Sequence, residues 1–130
     1  MAGKIIADTI ETGAGADIST SYVVSGSAKV FIDAAEGLGS ILKGLNVSSL
    51  DDDGTGDGGI NLTSSMDGVN YSVCAGMQDA AAVSVVADAT VSENTQAASS
   101  FDFETAYVNS VSNRTNEDRR VYFSILGDLA

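Results

Sequence analysis

Histidine, proline and tryptophan are absent from this 130-residue chain, and it carries a single cysteine. Without histidine, the Ser-His-Asp and Cys-His nucleophile arrangements and every His-ligated metal are excluded. Cys74 alone closes no intramolecular disulfide, so no disulfide framework is expected to hold the fold. Lying in an apolar stretch with no imidazole to activate it, Cys74 is expected to be a small buried hydrophobe. The lack of proline leaves turns to the 14 glycines and to Asp, Asn and Ser, which tolerate positive φ or bond their own backbone. Positive charge is scarce: 6 Lys and Arg face 18 Asp and Glu, a net charge of −12 and a pI near 4.1. Neutralising phosphates takes clustered cations, and only Arg119 and Arg120 are adjacent, so no nucleic-acid partner is expected and anionic membrane is disfavoured likewise. No apolar run approaches the roughly 18–20 residues of a membrane helix. The opening has three apolar residues between Lys4 and Asp8, against the roughly 7–15 of a signal-peptide core. Synthesis in a cytoplasm is therefore expected.

What is present suffices for a core. Hydrophobic residues make up 44% and charged residues 18%, with a mean hydropathy of +0.13, too apolar for an acidic disordered chain. The length suits one domain. Short runs rich in Val, Ile, Thr, Phe and Tyr, separated by Gly, Asp, Asn and Ser, carry the strand signature. Tyr22–Val24 and Ser27–Asp33 read as strands, the latter with Ala28, Val30 and Ile32 on one face. Gly59–Thr63, Asn70–Ala75, Phe101–Tyr107 and Arg120–Leu126 follow, with period-two alternation in the first and last two. Apolar residues recur at Ile41-Leu42 and over Leu45–Leu50, and Asp79–Thr95, rich in both Ala and Val, is read as strand. Asp51–Gly58 is the clearest turn, and Asn109–Asp118 reads as a loop. This pattern predicts an all-β fold, an antiparallel β-sandwich or small barrel of about seven to eight strands. Residues 21–130 would form it, behind an extended N-terminal arm over residues 1–20, whose Ile5, Ile6 and Ile10 are too few to hold a core.

Several constellations could carry chemistry. Asp51, Asp53 and Asp57, with Asp52 among them, could offer oxygens to Ca²⁺ from a glycine-rich loop. The EF-hand pattern fails, with no bidentate Glu at its last place, and a solvated turn is the ordinary reading. Asp102 and Glu104 are neighbours on the polar side of a strand; paired carboxylates serve glycosidases only in a cleft that raises one pKa, and a solvent-facing strand edge is the plainer account. Arg114, Arg119 and Arg120 form the one basic cluster, suited either to carboxylates of a neighbouring subunit or to local pairing with Glu117 and Asp118. Asn46, Asn61 and Asn113 begin glycosylation triplets that mean nothing without a secretory signal. No catalytic set emerges, so neither an enzyme nor a cofactor is expected.

Three stretches, Ile6–Ser21, Gly26–Ile32 and, most specifically, Leu45–Thr63 followed by Met66–Tyr71, together resemble small virion proteins of tailed bacteriophages, common in marine phages and of the tail-fibre and structural type. The last contains an Asn-Val-Ser-Ser strand, an acidic Gly-Thr-Gly-Asp turn and an apolar-Asn-apolar-Thr strand, and Val121–Gly127 looks like the closing strand. The resemblance covers residues 5–71 well and the rest loosely; Ala34–Gly39 and the Ala- and Val-rich 80–91 depart from it. It implies a β-rich, non-enzymatic building block on the outer surface of a particle, made in the host bacterial cytoplasm. Chain length favours a head decoration (cement) protein, a homotrimer bridging neighbouring major capsid subunits, over a tail-fibre or receptor-binding module. A carbohydrate-active enzyme is a remote third expectation. An extended arm of 20 residues could reach on the order of 65 Å, and Ile5, Ile6 and Ile10 are its expected contact residues.

Overall fold

A computed structural model describes residues 9–11, 15, 17–78, 86–91, 96–108 and 114–130. Near the N-terminus β1 (Thr9–Glu11) pairs antiparallel with β2 (Asp17–Ser19), and a short helix α1 (Thr20–Gly26) follows. Among the described residues nine further strands follow: β3 (Ala28–Ala34), β4 (Ile41–Leu45), β5 (Val47–Gly54), β6 (Asp57–Leu62), β7 (Ser72–Met77), β8 (Val86–Val91), β9 (Ser100–Val108), β10 (Arg114–Asn116) and β11 (Val121–Leu126). They form two antiparallel sheets. The first runs β4-β3-β11-β7, so the first and last strands of the sandwich are hydrogen-bonded at its centre. The second is built on β9, whose residues pair with β8 along one edge and with β6 and then β10 along the other. β5 closes it beyond β6. The fold is thus all-β and antiparallel, of the expected sandwich or small-barrel kind, with its second sheet curled and nine strands in the two sheets rather than seven to eight.

Alternation explains the core. On β3, Val30, Ile32 and Ala34 point inward and are buried, while Lys29, Phe31 and Asp33 face out. β11 contributes Val121, Phe123 and Ile125, β6 Ile60 and Leu62, and β9 Phe101 and Phe103. Phe123 spans the space between the sheets, its ring 5.5 Å from Phe101 and 4.7 Å from Phe103 in edge and tilted contacts, the arrangements ring quadrupoles favour. Leu38, on a 3₁₀ turn (Glu36–Leu38) between β3 and β4, packs against this core. It lies so close to Gly58 that a Cβ there would sit 2.1 Å from its Cδ1.

The crossing from β4 to β5 takes one residue. Asn46 adopts a left-handed conformation (φ 59°), which Asn tolerates better than other side chains. Its amide accepts from Ser64 N at 2.7 Å and donates to Ser64 O at 3.0 Å, tying the bend to the end of β6. Tyr71, buried near the start of β7, directs its hydroxyl at the carbonyls of Ala97 (2.9 Å) and Ser100 (3.1 Å). Burial pushes its pKa above the ordinary phenolic value.

Several expectations change. The stretch expected as an extended arm over residues 1–20 holds an antiparallel strand pair, β1 with β2, and Thr20 already belongs to α1. Tyr22–Val24 lies in α1, not a strand. Helix propensities differ by only a few tenths of a kcal/mol per residue, about 0.7 at most for ordinary side chains. The end of this helix is tied by Ser27 N on Val23 O (3.2 Å) and by the Lys29 ammonium on Val24 O. The supposed eight-residue turn at Asp51–Gly58 is mostly ladder, with only Thr55-Gly56 between the strands. The supposed loop Asn109–Asp118 contains β10, a short strand that β9 templates. Cys74 is exposed rather than buried, because on β7 it takes the outward phase opposite Ser124.

Candidate functional site

Most residues singled out in the sequence lie on surfaces, beginning with the N-terminal ribbon. Ile10 and Ile18 stand directly opposite each other in the β1–β2 ladder. Both remain exposed, as do Val23 and Val24 on α1. An apolar cross-strand pair is the unit that stabilises a ribbon, yet these side chains still offer apolar area to a partner. Of the other isoleucines expected to make contacts, Ile5 and Ile6 lie outside the described residues.

The three arginines expected at a subunit contact are spread over the molecule and engaged within the chain. Arg119 pairs locally with Glu117 at 2.6 Å. Arg114, on β10, reaches Glu104 on the neighbouring β9 at 2.9 Å. Arg120 instead crosses to β3 and grips Asp33 with two parallel bonds, Nε to Oδ1 at 2.8 Å and Nη2 to Oδ2 at 2.6 Å. Its guanidinium also lies 5.3 Å from the Tyr122 ring centroid, within cation–π range. Asp118, the other expected local partner, accepts the Gly56 N–H at 2.7 Å.

The Arg120 hydrogen bonds hold the Asp33 carboxyl below its ordinary value of 3.8, and Asp33 in turn raises the Arg120 pKa. A carboxylate whose folded pKa is depressed contributes stability above its unfolded pKa and loses that contribution as pH falls through the folded value. Asp33→Asn is therefore expected to flatten the acid limb of the stability curve below pH about 4. Urea titrations of both proteins from neutral pH downward check this; parallel acid limbs contradict it.

The acidic run is divided by alternation. Asp52 points into the sandwich side, near Leu38 and Phe103, and its Oδ1 accepts Gly54 N at 3.2 Å. Asp51 faces out and accepts from Asn61 Nδ2 at 2.7 Å. Among the described residues no group of three acidic or thiol side chains is arranged to hold a metal ion, so Asp51, Asp53 and Asp57 are not brought together as a calcium cage. Asp102 and Glu104 do share the outward side of β9, but β9 is a central strand, not an edge. Asp102 stands opposite Gly59, which stands opposite Asp51.

The two outer faces consequently differ in kind. That of β4-β3-β11-β7 presents Phe31, Leu45, Tyr122 and Leu126 among Lys29, Lys43 and Arg120, with Asp33 as its strand carboxylate. That of β5-β6-β9 presents Asp51, Asp53, Asp57, Asp102 and Glu104 around Asn61, with Arg114 at its β10 end. Sequence reasoning missed this division because it depends on which strands share a sheet. The legible trace was the phase of each strand, since Lys29, Phe31 and Asp33 occupy the alternate positions to Val30 and Ile32. The chain matches no protein-family model, and no curated protein or solved structure gives a significant match to it.

Proposed function

We propose that this chain is a bacteriophage virion structural protein: a head decoration protein, non-enzymatic and without cofactor, that binds the outside of the shell and bridges neighbouring major capsid subunits as a homotrimer. The phage-type motifs over residues 5–71 support the reading. The observation that carries it is the ribbon ahead of the sandwich, where Ile10 and Ile18 remain exposed on one ladder pair. Seating each isoleucine in a groove of a shell subunit is worth about 1.5–3 kcal/mol before ordering costs. A trimer presenting three such ribbons multiplies modest contacts into avid ones.

The experiment is addition of the protein to purified undecorated heads, scored by occupancy. Ile10→Asp together with Ile18→Asp is expected to lower occupancy by at least about ten-fold, with thermal unfolding of the sandwich little changed. Undiminished occupancy rejects the ribbon as the contact. Immuno-gold on intact particles tests location: label on the tail replaces this reading with the tail-fibre or receptor-binding module. Turnover of host polysaccharide, lost on Asp102→Asn, would replace both with an enzyme.

A further inference from the structure

We propose that copies of this chain associate head to tail, the outer face of the β4-β3-β11-β7 sheet of one copy seating on the outer face of the β5-β6-β9 sheet of the next. The argument begins from an imbalance. In a chain of net charge −12, one surface gathers three of the 6 basic residues: Lys43 on β4, Lys29 on β3 with its ammonium turned to the end of α1, and Arg120 just ahead of β11, paired with Asp33. The Arg120 guanidinium is held flat by its bidentate bond to Asp33 and lies against Tyr122. Inside this cationic rim lie Phe31, Leu45, Tyr122 and Leu126, with Leu45 half exposed. Leu42, also half exposed, borders Arg120 and Gln78 at one end, where Glu36 adds a second carboxylate beside Asp33. An apolar centre inside a polar rim, with Tyr122 and Arg120 where the two meet, is the anatomy of a protein–protein contact.

Charge decides the occupant. A self-facing contact would bring two faces of like sign together, with Lys43 on both. The opposite face, Asp51, Asp53, Asp57, Asp102 and Glu104 against Arg114, carries the complementary sign. It belongs to the same molecule, so every copy brings both halves of the contact. Such a pairing of unlike faces closes into a ring if the rotation between copies permits, and otherwise propagates. This contact stands independently of the virion reading, because it is tested on the isolated protein with no head present.

Two variants separate the possibilities in sedimentation experiments. Lys43→Glu spoils the cationic face, and Asp51→Lys with Asp53→Lys spoils the acidic one. Each alone is expected to weaken self-association by about ten-fold or more. Mixed one to one, they are expected to form a dimer, because each retains the face the other lacks. Wild-type association should also weaken about ten-fold when salt rises from about 0.05 to 0.5 M. A wild-type monomer at about 1 mM overturns the proposal. So does an acidic-face variant that associates like the wild type, which would mean a self-facing contact. Association that survives Lys43→Glu also overturns it, since the N-terminal ribbon or another surface would then be responsible.

Discussion

Phe123→Ala is expected to destabilise the fold by about 3–5 kcal/mol, the range for removing a fully packed core aromatic. Phe123 is the residue through which the central strand of one sheet touches both phenylalanines of the other. Its neighbours are fixed on ladders: β11 is hydrogen-bonded to β3 and β7, and β9 to β6 and β8. The cavity therefore cannot close by side-chain motion alone, and cavity cost adds to lost transfer energy. Whole-domain stabilities are about 5–15 kcal/mol, so the variant would be marginal. Tyr122→Ala, one residue away on the opposite face, is expected to cost at most about 1 kcal/mol. Paired denaturant titrations check both. Equal costs would contradict the inward phase of Phe123 on β11.

Gly56→Ala is expected to destabilise by about 2–5 kcal/mol, combining backbone strain with collision. Gly56 sits in the tip of the β5–β6 hairpin with φ 70°. That tip abuts the point where β10 takes over the β9 edge from β6. Thr105 N donates to Gly56 O at 2.7 Å, and Glu117 N donates to Thr105 O at 3.1 Å. The Thr105 hydroxyl donates to Glu117 O at 2.7 Å, which satisfies a buried polar side chain. A Cβ on Gly56 would lie 2.4 Å from Thr105 O and 2.6 Å from Glu117 N, both backbone atoms that cannot swing aside. The expected readout is a loss of several degrees in the thermal midpoint, with faster hydrogen exchange at Thr105 and Glu117. Gly26→Ala, where a new Cβ meets nothing within 4 Å, serves as the control. Comparable midpoints for the two variants would contradict the packing of the hairpin tip.

The strands that alternation makes legible in the sequence are those that bury one face by themselves. Val121, Phe123 and Ile125 on β11, and Phe101 and Phe103 on β9, declare their inward phase without reference to any partner. Elements whose conformation depends on a remote partner are not legible in this way. β10 has no apolar alternation, and Arg114–Asn116 is a strand only because the free edge of β9 lies beside it. The acidic stretch reads as a turn because Asp and Gly disfavour strands, yet β6 carries it as ladder through Gly54. Cys74 looks buried in a window of apolar residues, but its exposure is a matter of phase.

Composition and spacing alone determined that this chain is all-β, acidic, free of a disulfide framework and closed to histidine chemistry, because these follow from residue types and period-two repetition. Tertiary structure decided how charge is distributed. It sent Arg120 to Asp33 instead of to its sequence neighbours. It also placed the cations of β3 and β4 on one side of the molecule and the carboxylates of β5, β6 and β9 on the other. The physical reason is that a strand's phase is local, whereas which strands share a sheet is set by long-range pairing across the core.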